Sequence, residues 1–297
     1  MRAYRRHGDL AAVAAVAGSC IADGPHSADV GWRLANPSWQ SARDCRVVTD
    51  GGGAVIGFAA WQQPWAVLDL WARPGRGDRA YEELLSWAAG RFAGMDRERG
   101  YPLAYWAEAH EGDAGRLGLL ARHGYVLDGD PGLVLRHGLR GPVPPAPMPA
   151  GFALRSFAGP SQVPAYVRAH RQAFGTSSMT ARWRLATLTM PGYHPALDLA
   201  AVAPDGSLAG FCVAWLGQAS ATAHIEPLGI SPGLRRLGLG HAMVTAVLGR
   251  ARDCGARMVT VQTGAVHGPA VDFYQQVGFE AACRVLRKGQ WFPAQPS

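Results

Sequence analysis

The residues best suited to chemistry lie in one run of the 297-residue chain, Ser231-Pro-Gly-Leu-Arg-Arg-Leu-Gly-Leu-Gly240. The strand-like Ile225-Glu-Pro-Leu-Gly-Ile230 precedes it and a helical pattern follows. Gly238 and Gly240 let the chain turn with its N–H groups converging, and a helix N-terminus adds a positive dipole. Arg235 and Arg236 add charge-assisted donors. With Leu237, Leu239 and His241 between and beside them, these residues make a candidate cradle for a pyrophosphate. An ordinary tight strand-to-helix turn is the competing reading of the same run. Glu226 is the only one of the six acids after residue 140 to fall on the preceding strand. His224, two residues earlier, shares its face of that strand.

These residues need a scaffold, and the chain announces one. Gly141-Pro-Val-Pro-Pro-Ala-Pro-Met-Pro-Ala-Gly151 holds five prolines and predicts an extended spacer poor in hydrogen bonds. The charge changes at the same place. Residues 1–140 carry 16 basic and 16 acidic side chains, whereas residues 141–297 carry 13 and 6, so the whole net charge of +7 lies in the second part. That partition argues against a diffuse nucleic-acid coat and for one domain that meets an anion. Five cysteines without a C-x-x-C spacing predict reduced, mostly buried thiols, no zinc site and a cytoplasmic location. No apolar run reaches membrane-spanning length, and Leu10–Ala22 reads as an amphipathic helix rather than an export signal.

Strand and helix patterns alternate on both sides of the spacer, which predicts an α/β class with a mixed sheet. In the first part, strands are expected over Cys45–Asp50, Ala54–Trp61, Trp65–Ala72 and Leu103–Ala109, with a helix over Asp78–Gly94. In the second part, strands over Leu197–Ala203, Leu208–Leu216, Ala223–Ile230 and Met258–Thr263 surround helices over Gly240–Asp253 and Pro269–Gln276. The parts also repeat each other. Val55-Ile-Gly-Phe-Ala-Ala-Trp61 parallels Leu208-Ala-Gly-Phe-Cys-Val-Ala-Trp215, Pro74 parallels Pro232, and Gly124-Tyr125 parallels Gly278-Phe279. One fold used twice explains three matches in order.

Arg235-x-x-Gly238-x-Gly240 after a strand ending at Pro232 resembles the coenzyme-A loop of the GNAT acetyltransferase superfamily. Ala270-Val-Asp-Phe-Tyr274, with Gly278-Phe279 after three more residues, resembles its second landmark. The resemblance covers most of residues 151–297 and extends to residues 1–140 as a degenerate copy. The arrangement is similar to tandem-GNAT proteins, of which mycothiol synthase is one. It implies a degenerate domain (1–140), the spacer (141–151) and a catalytic domain (152–297), each domain a mostly antiparallel mixed sheet flanked by helices. It further implies acetyl-CoA as co-substrate, no metal, and direct acetyl transfer to a primary amine of a small molecule in a ternary complex. Tyr274 takes the general-acid position, facing the sulfur. Glu226 is the candidate base, directly or through a water, with His224 as a rival or a polar lining residue. N–H groups at Leu228 and Ile230, on either side of Gly229, would serve pantetheine and the thioester carbonyl. His267 departs from the pattern, because many members have Asn there against pantetheine.

The first part fails the same tests. Gly75-Arg-Gly-Asp-Arg-Ala80 lacks the R-x-x-G-x-G pattern and puts Asp78 where phosphate needs donors, and Leu120 stands in the place of Tyr274. It is expected to neither bind CoA nor catalyse, and to wall the acceptor pocket. Trp183, Tyr193 and His194 are the acceptor-side candidates, the last two on a loop after Pro191-Gly192. A non-catalytic acyl-CoA-binding module and an aminoacyl-tRNA-dependent ligase on the same scaffold are the alternatives. No nucleic-acid or membrane partner is expected, and the chain reads as a monomer or homodimer.

Overall fold

Runs of β-branched and aromatic residues between glycine and proline breaks become strands, and apolar positions three and four apart become buried helix faces. The computed structural model describes residues 1–20, 30–37, 43–62, 65–75, 77–101, 104–217 and 220–291. Its first half contains β1 (Arg2–Ala3), α1 (Arg6–Ser19), α2 (Val30–Ala35), β2 (Cys45–Thr49), β3 (Val55–Gln62), β4 (Val67–Ala72) and α3 (Gly77–Arg99). β5 (Ala104–His110), α4 (Ala114–Arg122), β6 (Val126–Leu127) and β7 (Gly132–Gly138) complete that half. The second half contains β8 (Ala153–Ser156), α5 (Val163–Phe174), α6 (Ala181–Thr187), β9 (Tyr193–Val202), β10 (Leu208–Gly217) and β11 (Thr222–Ile230). α7 (Leu239–Asp253), β12 (Met258–Thr263), α8 (Pro269–Gln276) and β13 (Glu280–Trp291) follow. Ile21 and Ala22 of the expected first helix, Leu103 of the fourth expected strand and Arg76 of the first-half loop lie outside the described residues.

All the strands belong to one mixed sheet, in the order β1-β2-β3-β4-β5-β13-β7-β12-β11-β10-β9-β8, with β6 on β13. Among the described residues β4·β5 and β11·β12 are parallel pairs and the other ladders are antiparallel. The last strand of each half crosses to the other. β7 pairs with β12 from Met258↔Gly138 to Thr263↔Leu133, and β13 pairs with β5 from Val285↔His110 to Trp291↔Ala104. Hydrogen bonding therefore runs across the spacer that separates the halves in sequence. The spacer is not a free tether: Val143 and Met148 pack against the α7 side of the core, and Ala146 N–H donates to Thr245 Oγ1 at 3.1 Å.

Three apolar clusters flank the sheet. One lies under α3 in the first half and one under α7 and α8 in the second. The third is shared, joining Val13, Trp32 and Phe58 to Tyr166, Trp183 and Trp215. Two expectations need correction here. Tyr193 and His194 open β9 rather than forming a loop, because Tyr193 pairs with Trp215 across the ladder. Of the five free cysteines, Cys45 and Cys212 are buried, whereas Cys20, Cys254 and Cys283 are half-buried.

His170 lies in the shared cluster, stacked on Phe211 with centroids 5.5 Å apart and near Trp32. Burial, aided by the Arg184 charge, pushes its pKa down from 6.5 to about 4. The unfolded chain takes up this proton first as pH falls, so the stabilisation is fully present above pH 6.5 and is lost progressively towards pH 4. Denaturant titrations at pH 7 and 4.5 should show the wild type losing about 2 kcal/mol more than His170→Phe; equal losses would refute the assignment. Strand exchange makes a second expectation. Truncation after Phe279 keeps every landmark but takes β13 from both β5 and β7, so calorimetry should show both halves losing cooperative unfolding.

Candidate active site

The site begins with an irregularity in β11. Its ladder with β10 runs from Gly210↔Ile230 to Cys212↔Leu228 and resumes at Ala214↔Ile225, so Glu226 and Pro227 together oppose Val213. This is a β-bulge, and proline suits it because no ladder donor is lost. Ala223 and Ile225 point into the core under α7, while His224 and Glu226 line a cavity on the other face. His224 is buried, with Nδ1 2.9 Å from Thr260 Oγ1.

Beyond the bulge, Ser231 N–H donates to the Ala209 carbonyl at 2.9 Å. Inward and outward positions alternate along an antiparallel ladder, so Gly229 turns to β10 while the N–H groups of Leu228 and Ile230 face away. On that side β11 pairs with β12 only from Thr222↔Met258 to His224↔Thr260. Two donors thus face an open wedge between parallel strands.

The cradle closes the end of the wedge. Arg236 (φ 68°) and Gly238 (φ 91°) both adopt left-handed backbone before α7 begins. α7 has no side-chain cap and no acid in its first turn, so the N–H groups of Leu239, Gly240 and His241 have no partner within the helix. Leu239 is buried and anchors the loop, while Leu237 is 49% exposed. Arg236 and His241 are exposed. Arg235 is partly committed to the fold: Nη2 donates to the Ala173 carbonyl at 2.7 Å and Nε to Ile230 at 3.4 Å. A Cβ on Gly240 would come within 3.3 Å of the Phe273 ring, so this glycine lets α7 approach α8. α8 carries Tyr274 at 6% exposure, packed against Phe273 and Phe279. Burial holds its phenol well above the usual pKa, with the charges of Cys212 and Glu226 adding to the effect. Tyr274 therefore keeps its proton, and its hydroxyl has no hydrogen-bond partner among the described residues. His267 is exposed in the bend before α8.

The cavity beside Glu226 is about 320 Å³ and is built by both halves. Trp32, Arg33, Trp65, Glu108 and Asp130 come from the first, and His224, Glu226, Gln262, Thr263 and Arg287 from the second. Arg33 is held by Asp69 at 2.7 Å, and Arg287 stacks 4.1 Å over the Trp106 ring. Apart from His224 and Glu226 these residues carry no local motif. Arg33 sits next to Trp32 on α2, and Glu108 meets Arg287 only because β13 crosses to β5.

Residues 164–279 match the family model of the acetyltransferase (GNAT) family. The chain carries a GNAT acetyltransferase domain. A mycothiol acetyltransferase of Geodermatophilus obscurus is 28% identical over 92% of this chain and 91% of its own length. That of Kineococcus radiotolerans is 34% identical over 45% of this chain and 44% of its own. A tandem GNAT protein from the clavulanic acid biosynthesis pathway superposes with a TM-score of 0.68 at 19% identity, covering 100% of this chain and 98% of that one. A GCN5-related N-acetyltransferase from Sphaerobacter thermophilus gives 0.65 at 20% identity, over 100% and 96%. The fold is therefore that of two GNAT units in tandem.

The acceptor-side candidates are not brought together. Trp183 is 1% exposed and packs behind the cavity, its ring 4.9 Å from Trp32 and 5.6 Å from Trp65. Tyr193 donates to Asp198 Oδ2 at 2.9 Å, and Asp198 also pairs with the buried Arg184. His194 lies beside Cys254, at the opposite end of α7 from the cradle, with Sγ 3.7 Å from Nδ1. In the first half, Tyr125 N–H meets the Leu120 carbonyl as Phe279 N–H meets that of Tyr274, both at 3.0 Å. Leu120 thus occupies the tyrosine's place. Asp78 sits in the first turn of α3, and the β4 carbonyls of Leu70 and Ala72 are taken by Arg116 Nη1 (2.7 Å) and Cys20 Sγ (2.9 Å). Among the described residues there is no three-ligand metal group and no helix long and apolar enough to cross a membrane.

Proposed function

We propose that the second half binds acetyl-CoA and transfers its acetyl group to a primary amine of a small molecule held in the shared cavity. The carrying observation is the wedge between β11 and β12 closed by the uncapped start of α7: the donors at Leu228 and Ile230 lead into the Arg235–Gly240 turn, and the same strand brings Glu226 to the cavity. The converging N–H groups at the start of α7, with Arg236 and what remains of Arg235, suit the pyrophosphate. The N–H groups of Leu228 and Ile230 suit pantetheine and the thioester oxygen, where fixed donors stabilise developing negative charge.

In this reading Glu226 takes a proton from the substrate ammonium, directly or through a water, with His224 beside it as a polar wall. The freed nitrogen attacks the thioester carbonyl, a C–N bond forms and the C–S bond breaks. The departing sulfur takes the proton of Tyr274, and the proton held by Glu226 restores the phenol through solvent. The products are an amide and a free thiol. In this reading the first half supplies cavity wall and no second cofactor site: it lacks the R-x-x-G-x-G run and the tyrosine, and Arg116 and Cys20 occupy the Leu70 and Ala72 carbonyls on the matching edge of β4. The mycothiol acetyltransferases among the relatives make the deacetylated form of mycothiol the first acceptor to try.

Acetyl-CoA should bind at one site per chain by calorimetry. Incubation with deacetylated mycothiol and a panel of primary amines should liberate CoA, measured chromatographically. Tyr274→Phe and Glu226→Gln should each lower kcat by about 100-fold with little change in acetyl-CoA affinity. Neither binding nor turnover would sink the proposal. Binding without turnover on any amine, unchanged in both variants, would favour a non-catalytic acyl-CoA module.

A further inference from the structure

We propose that Trp215 is a positioning residue that fixes the bulged backbone at Glu226, and that the first half acts on the base through it. The inference rests on the reading of Glu226 as the base. Trp215 is fully buried, and its indole Nε1 donates to the Glu226 carbonyl at 2.6 Å. A bulge takes its extra residue out of the ladder, so the orientation of that peptide is not set by strand pairing. The indole N–H supplies the missing restraint at an oxygen two bonds away from the Cα that carries the carboxylate side chain.

The ring is itself held by the first half. Gly31 of α2 sits against it so closely that a Cβ there would lie 2.7 Å from Trp215 Cζ3 and 2.3 Å from the Pro191 carbonyl. Tyr193 packs edge-on at 6.1 Å and Trp32 lies at 6.4 Å. A continuous chain of contacts thus runs from α2, through Trp215, to the backbone of Glu226.

The duplication provides an internal control. Counted from the shared Gly57-Phe58 and Gly210-Phe211, the counterpart of Trp215 is Gln62, which is equally buried. β3 and β4 pair without a register shift from Gly57↔Ala72 to Gln62↔Val67. With no bulge opposite, the Gln62 amide turns to a side chain instead, Nε2 donating to Asp69 Oδ2 at 2.7 Å. Only the half with the bulged glutamate carries an indole at this position. The indole bond therefore accompanies the base and not the fold.

Trp215→Phe keeps an aromatic ring and removes the donor; β-(3-benzothienyl)alanine at 215 keeps the bicyclic shape and also lacks the N–H. With acetyl-CoA and deacetylated mycothiol, or the panel amine of highest turnover, kcat at pH 7 should fall about tenfold in both, since small misplacements of reacting groups carry such costs. KM for acetyl-CoA should stay within about twofold. The deficit should shrink as pH rises towards the amine's own pKa, where free amine no longer needs a base, and Gly31→Ala should give the same profile. Wild-type kcat in both position-215 variants, or a deficit equal at every pH, would overturn the proposal. Glu226→Gln separates the two levels: pH-dependent loss there with intact Trp215 variants removes only the positioning role, whereas wild-type turnover removes the base and the positioning role together.

Discussion

Strand β11 pairs with β10 along most of its length but with β12 for three residues only, and the backbone groups left over must still be satisfied. This unequal pairing is the constraint on which the site depends. It exposes the N–H groups of Leu228 and Ile230 on one edge. It leads the chain into the Arg235–Gly240 turn at the mouth of the wedge, and it places α7 with its N-terminus facing inward. A parallel pair that stayed zipped would leave no room for a cofactor arm. A pair that separated without the cradle would leave donors with no anion to meet.

The first half tests this logic by contrast. It contains the same parallel pair, β4·β5, joined through a single registered contact, Val67↔Trp106. Its spare carbonyls are met from within, by the Arg116 guanidinium and the Cys20 thiol. The opening is thus filled by the protein's own side chains, and the half is free to be used as structure. Its α2 and β4 wall the cavity, Gly31 seats Trp215, and β7 crosses to cover β12.

The motifs that depend on contiguous residues were legible before any coordinates. β12 and α8 fall on the expected bounds, and the cradle assembles from the run that suggested it, because each rests on local turn chemistry and a short apolar period. Glu226, Leu228 and Ile230 sit on the one strand expected for them, although the bulge at Glu226-Pro227 breaks the alternation between Glu226 and the two residues beyond it. What was not legible depends on long-range pairing. The exchange of β7 and β13 leaves no trace in local periodicity, since a strand's pattern reports its faces and not its neighbours. For that reason Arg287, Glu108 and Arg33 could not be assigned to one cavity. Tyr193 was misread as a loop residue because Pro191-Gly192 marks a turn without saying how soon pairing resumes. Trp183 reads in the sequence as an acceptor-side candidate, but its indole faces into the shared aromatic cluster.

The positive charge of the second half also changes meaning in three dimensions. A basic domain suggests an anionic ligand, yet several of its arginines are occupied with the protein's own acceptors. Arg171 donates to the Met179 carbonyl, Arg250 to Ala196 and to Ser156 Oγ, and Arg184 lies fully buried against Asp198 between the rings of Phe157 and Tyr166. Arg235 itself ties the cradle to the end of α5. A guanidinium can satisfy carbonyls at the ends of helices and strands with one face and remain charged with the other, which an ammonium does less well. Part of the excess charge therefore fastens loops and helix ends, and fixed backbone donors coincide with an exposed guanidinium at Arg236.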